Sequence, residues 1–268
     1  MTIEPPVGKC RLCGREGELK ESHLLPRSTY VLLQRRAGVK NPRPLFISDT
    51  FAGQIQSQFK DYLLCTSCEQ RFSDNGETWL MGNCYRDDKH FFIREKILQT
   101  PPVFELEDPA ITIYSATLAP EIQSDKIIYF ALSVFWRAAV HDWYIPEHAE
   151  PVRIDLGPFE PRIRGFLLGE VAFPDCVALG VRVASPLVYT GGVMLPTWSR
   201  QDGWRAHKFM IPGVEFTLHV GSKIPAAVMK VSFGTSSGRH IMVSQEVDER
   251  AFEFANWKFA RAQNQPHN

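Results

Sequence analysis

The chain has 268 residues, 44% hydrophobic and 22% charged, with 30 Lys and Arg balancing 30 Asp and Glu. A formal net charge of zero argues against a protein that coats nucleic acid by general attraction, which needs a basic surplus. The longest apolar stretch, around 129–140, is broken by Arg137 and is too short to span a bilayer. Met-Thr-Ile-Glu-Pro-Pro lacks a basic n-region followed by an apolar run, so a soluble cytoplasmic protein with no membrane partner is expected. In a reducing compartment, paired cysteines favour a metal over a disulfide.

The first feature in chain order is Cys10-x-x-Cys13, which is answered by Cys65-x-x-Cys68. Each knuckle offers two thiolates, and two knuckles supply the four sulfurs of a tetrahedral structural zinc (Zn²⁺). The 51 residues between Cys13 and Cys65 mean that the metal would close a long excursion rather than form a finger by itself. Within that excursion, 19–25 reads as a short strand leading to Pro26, and 28–36 reads as a short helix carrying Tyr30, Val31 and Leu33. Residues 38–58 are turn-rich and carry no assignment, and 62–64 reads as a strand running into the second knuckle. From Thr66, Glu69, Phe72 and Leu80 fall on helical spacing, with Gly76 arguing for a bend or break. Residues 87–98 suit either a helix or an extended linker. Cations gather at Arg27, Arg35, Arg36, Lys40 and Arg43, a local basic face on a neutral protein.

Thr100-Pro101-Pro102 punctuates the chain and divides a front segment, 1–100, from a back segment, 101–268. The back segment opens with strand-like text at 103–106 and 110–114. A helix follows over 125–144, with Ser124 as its N-cap and Pro146 as its stop. It is apolar on most sides, as a helix buried at a domain centre would be. A second helix starts near Pro161, and strands are expected at 177–184, 187–195, 207–211, 214–220, 226–233 and 239–243. A closing helix is expected over 248–261, with acids early and bases late. Helices, then strands, then a helix give an α+β class with a central buried helix and antiparallel strands.

Three features together carry a family resemblance. They are Cys10-x-x-Cys13-Gly14, Ser22-His23-Leu24-Leu25-Pro26, and Leu63-Leu64-Cys65-x-x-Cys68-Glu69. The combination resembles the four-cysteine branch of the HNH endonucleases, over roughly residues 8–80. The resemblance implies a zinc-pinned ββα-metal module that hydrolyses phosphodiester bonds, with DNA as the expected substrate. It implies His23 as general base, a role suited to an imidazole near neutral pH. It also implies a second, catalytic cation, Mg²⁺ or Mn²⁺.

The sequence departs from the family's pattern at its metal ligands. Ser22 stands where an acid or His is usual, and Glu69 where Asn or His is usual. Glu69 suits a hard cation, and Glu77 is the second candidate ligand, with Asp74 and Asn75 as alternatives. Gln56 and Gln58 are the nearest matches for the Asn that orients the base. Arg27 and Arg137 are candidate substrate-binding residues, although Arg137 also suits an arginine satisfied by an internal acid. Trp198, Trp204, Arg200, Arg205 and His207 can be read as a base-stacking surface or as the rim of a sheet. Cys84 and Cys176 read as buried apolar residues. Residues 101–268 would recognise substrate or mediate contact with a protein partner or a second copy. The alternative reading is a noncatalytic zinc-binding module for nucleic acid or protein.

Overall fold

Strand β13 (Val214–Gly221) buries Val214, Phe216, Leu218 and Val220, while Glu215, Thr217 and His219 between them stay partly exposed. That period of two marks a sheet whose one face is fully dry. The structure, a computed structural model, describes residues 4–34, 45–48, 52–54, 57–87, 90–105, 111–146, 148–185, 192–201, 203–235 and 238–244. Ten described strands make the main sheet. In spatial order they are β4 (Ala52–Gln54), β3 (Leu45–Ile47), β11 (Gly192–Gln201), β12 (Trp204–Ile211), β13, β10 (Val177–Val183), β14 (Phe233–Thr235), β15 (Gly238–Ser244), β7 (Ile111–Ser115) and β6 (Pro102–Glu105). Neighbours run antiparallel except β3 with β11, and a further contact of β10 with β15 is also parallel. Pro196, which cannot donate to a ladder, falls in β11 where the register shifts between Met194 and Thr197.

The dry face of this sheet takes helix α5 (Ser124–Val140). Phe130 and Phe135 pack on Phe209 and Phe216, with centroids of Phe135 and Phe209 4.8 Å apart and edge-on. A helix between two layers has no wet side, which accounts for its nearly unbroken burial from Ile127 to Ala138. The opposite layer comes from the front of the chain. It holds α2 (Thr66–Phe72), a five-residue π-helical turn (Ser73–Glu77) and α3 (Thr78–Asn83), and beside them lies α6 (Glu160–Leu168). A smaller antiparallel sheet, in the order β1 (Val7–Lys9), β2 (Glu16–His23) and β5 (Lys60–Cys65), leads into α2. Helices α1 (Arg27–Gln34) and α4 (Phe92–Ile97) complete the front, with α4 settling the open reading of 87–98.

The α+β class with antiparallel strands and a central buried helix is thus present. Several local expectations change. The central helix stops at Val140, because His141 takes an extended conformation and the chain turns into a hairpin of β8 (Trp143–Ile145) and β9 (His148–Val152). The freed carbonyls at the helix end are answered: Trp143 Nε1 donates to Arg137 O at 3.0 Å and Ile154 N to Ala138 O at 3.1 Å. Gln123, not Ser124, precedes the first helical residue. Residues 226–233 split into helix α7 (Ala226–Val231) after Pro225, then β14, since a short apolar run does not reveal its own period. The base-stacking surface is not assembled: His207 is fully buried against Phe135, Arg205 pairs with Asp155, and the Trp204 indole nitrogen is buried. Burial pushes the His207 imidazole down to about 4. The Arg200 side chain, the 248–261 helix, Gln56, Arg35, Arg36, Lys40 and Arg43 lie outside the described residues. No described helix is long and apolar enough to cross a membrane.

Gly76 does not break its helix. A Cβ there would stand 2.8 Å from Phe130 N and 2.9 Å from Phe130 Cα, so α5 crosses with its backbone against this glycine. Gly76→Ala gains about 1 kcal/mol of helix propensity but forces two backbones apart, at about 1–3 kcal/mol. The fixed backbone decides the sign. Gly76→Ala is expected to lower the unfolding free energy by a net ~1 kcal/mol and up to ~2 kcal/mol, read by circular dichroism as a lower urea midpoint with an unchanged m-value.

Candidate functional site

Two turns bring the cysteines together. After β1 the chain tightens, with Gly14 N donating to Cys10 O at 2.9 Å and Gly14 at a φ of 74°, a conformation that glycine adopts without strain. Cys65 ends β5 and caps α2, and Cys68 follows within the first helical turn. Leu19 pairs with Cys65, and Arg11 N donates to Leu63 O at 3.1 Å, which ties the first knuckle to the second. The Sγ atoms of Cys10, Cys13, Cys65 and Cys68 all lie within 4.8 Å of one another, Cys13 to Cys65 at 3.8 Å. A Zn–S bond of ~2.3 Å sets tetrahedral edges of ~3.8 Å. The cluster is therefore compatible with a zinc ion.

Burial alone would raise every one of these thiols. At Cys13 the Arg15 guanidinium and backbone N–H overcome it and hold the thiol at about 6. At Cys65 burial is likewise outweighed, by the Ser67 hydroxyl and the Cys68 N–H. Cys10 and Cys68 stay raised by burial. Four thiolates this close repel, and a divalent cation is what relieves them. Cys84 is buried apart from the cluster, with its Sγ near Met81 O, and Cys176 is also buried.

Further along the same two strands lies a cleft of about 740 Å³. His23 ends β2 and lines it, with Glu21 and Lys60 (an ion pair at 2.8 Å), Gln58, Glu69, Glu77 and Arg137, and Arg27 at its exposed rim. His23 Nε2 lies 2.9 Å from Gln58 Oε1. An amide oxygen only accepts, so Nε2 carries the proton and Nδ1 keeps the free lone pair. Burial, foremost, holds the His23 imidazole below its usual pKa; Gln58 and Glu21 oppose that, while Arg137 and Lys60 add to it.

The π turn sets the two acids in phase. Eight residues of plain α-helix would leave Glu77 ~80° around from Glu69. One wide turn absorbs a residue and brings them within ~20° of one line. Ser22, fully buried, donates to Glu69 Oε1. It is therefore the residue that holds Glu69 rather than a group facing the cleft. Burial, the largest effect, raises the Glu69 carboxyl; Ser22 and Arg137 pull it down and Glu77 pushes it up.

Arg137 is 1% exposed and fully engaged. It donates to His23 O at 2.6 Å, to Glu77 Oε1 at 2.5 Å and to Ser133 O at 3.4 Å, and it lies 5.3 Å over the Phe72 ring. It enters the cleft as part of its floor, already committed to protein acceptors. Asp74 and Asn75 turn outward, to Gln70 and Arg71 O. His141, just past the end of α5, meets Asp61 at 2.9 Å. Sequence reasoning missed Lys60 and Glu21. Register would have found Lys60, which pairs directly opposite His23.

No protein-family model, curated protein or solved structure matches this chain.

Two outcomes are expected. The purified protein carries close to one zinc per chain by elemental analysis, and Cys65→Ser lowers both metal content and melting temperature. Arg137→Met leaves the half-buried Glu77 and the His23 carbonyl without their donor and costs about 3 kcal/mol by chemical denaturation. Glu77→Gln added to that variant should recover part of the loss.

Proposed function

We propose that the chain is a metal-dependent endonuclease of the HNH type, hydrolysing a phosphodiester of nucleic acid, with DNA the expected substrate. One observation carries the reading: an imidazole with one nitrogen tethered to Gln58 and the other without a hydrogen-bond partner among the described residues shares a cleft with two in-phase carboxylates. His23 takes a proton from water at Nδ1. Gln58 fixes the ring's tautomer, and Arg137 holds the backbone from which the ring projects. Glu69 and Glu77 are each engaged through Oε1, which leaves Oε2 of each for a hard cation. Magnesium or manganese bound there would supply positive charge at the developing phosphorane and the leaving oxygen. Arg27, at the rim, is placed to meet a flanking phosphate.

The noncatalytic zinc module draws support from Ser22. Its burial leaves β2 without a ligand for a second metal next to His23. Supercoiled plasmid with Mg²⁺ or Mn²⁺ separates the two readings. The protein is expected to nick it, and His23→Ala to slow nicking by about 10²-fold or more; binding without cutting selects the module. The base must be unprotonated to act, and burial lowers the His23 pKa, so the acid limb of the rate should have its midpoint below 6.5. A midpoint above 6.5 would remove His23 from that role.

A further inference from the structure

A second cavity, of about 820 Å³, shares no lining residue with the His23 cleft. It opens where the first cysteine knuckle, β5 and α6 meet. Three cations line it: Lys9 at the end of β1, Arg11 in the knuckle and Arg164 on α6. None of the three has an acidic partner among the described residues. The acid in the lining, Glu160, accepts the Trp136 indole N–H at 2.6 Å. Arg164 is fixed by donating from Nε to Leu12 O at 2.5 Å.

Two of these cations converge. A Cβ placed at Gly14 would lie 3.7 Å from Lys9 Cε and 3.8 Å from Arg164 Nη2, so both side chains reach over the same bare glycine. The thiolate cluster does not account for them, because its cation is Arg15, bonded to Cys13. Like charges gathered over one point in a concave site are relieved by an anion between them. Tyr62, 37% exposed, adds an aromatic ring to the lining.

We propose that this cavity binds a phosphate of a nucleic-acid strand, a few nucleotides from the bond held at the His23 cleft. The assignment takes its ligand class from the nuclease reading above. The spacing supports a single strand serving both places. Leu19 lines this cavity and His23 the other, four residues apart on β2. At ~3.3 Å per residue that is ~13 Å, a separation that a few nucleotides of one strand can span.

The test uses the full-length, zinc-loaded protein and a labelled 20-base-pair duplex, followed by anisotropy over a salt series without Mg²⁺ or Mn²⁺. Lys9→Gln/Arg11→Gln removes two exposed cations with no described role in folding. It should weaken binding about tenfold and reduce the salt slope by about two. Arg164→Gln, checked for retained zinc, should act in the same direction. An unchanged affinity and slope in the double variant overturns the proposal, whether or not the parent nicks plasmid. A reduced slope in a protein that never nicks keeps the phosphate site and removes the nuclease reading instead. The same titration with AMP and with inorganic phosphate separates the sources. Micromolar binding of either, lost in the double variant while duplex binding is unmoved, reassigns the cavity to a small anion and overturns the strand assignment.

Discussion

The Arg137 guanidinium lies under the cleft with almost no contact with water, where stripping its solvent costs several kcal/mol. Such a charge survives only if its donors find acceptors in good geometry. Here they are a strand carbonyl (His23 O), the carboxylate that closes the π turn (Glu77) and α5's own Ser133. The residue thus fastens three elements from distant parts of the sequence. The position of the His23 backbone, the placing of the second acid and the packing of α5 all depend on its being satisfied. The Phe72 face beneath it contributes a cation–π contact and closes the site from below.

Around that brace, the inner polar groups of the cleft are fixed by neighbours. Ser22 secures Glu69, and Gln58 secures the His23 tautomer. Ser22 therefore has a physical role, since a hydroxyl is small enough to be enclosed and still donate to a carboxylate. A carboxylate at position 22 would set two negative groups together in a dry place.

The legible parts of the sequence were those governed by local chemistry. Matched Cys-x-x-Cys spacing announces a four-sulfur cluster because the ligands must converge. The apolar text of α5 announces burial on all sides, and β13 alternates as a strand does. What stayed hidden depends on partners distant in sequence. Gly76 reads as a helix breaker, and only the crossing of Phe130 explains it as a point of close approach. The π turn, and with it the alignment of Glu69 and Glu77, leaves no signature in residue type. Arg137 could be read as phosphate ligand or buried brace until its acceptors were in view. The 226–231 segment was apolar enough for either state, and Pro225 decided it.

Strand β3 has a consequence of its own. It belongs to the excursion that the cysteine cluster closes, yet it lies parallel beside β11 and carries the fully buried Phe46, which stacks on Tyr30 of α1. The loop between the two knuckles is therefore stitched into the edge of the large sheet. Cutting the chain after the knuckles would tear a seam, stripping β3 of its backbone partner and Arg137 from beneath the imidazole. The front hundred residues are better regarded as one half of a clasp than as a portable cartridge.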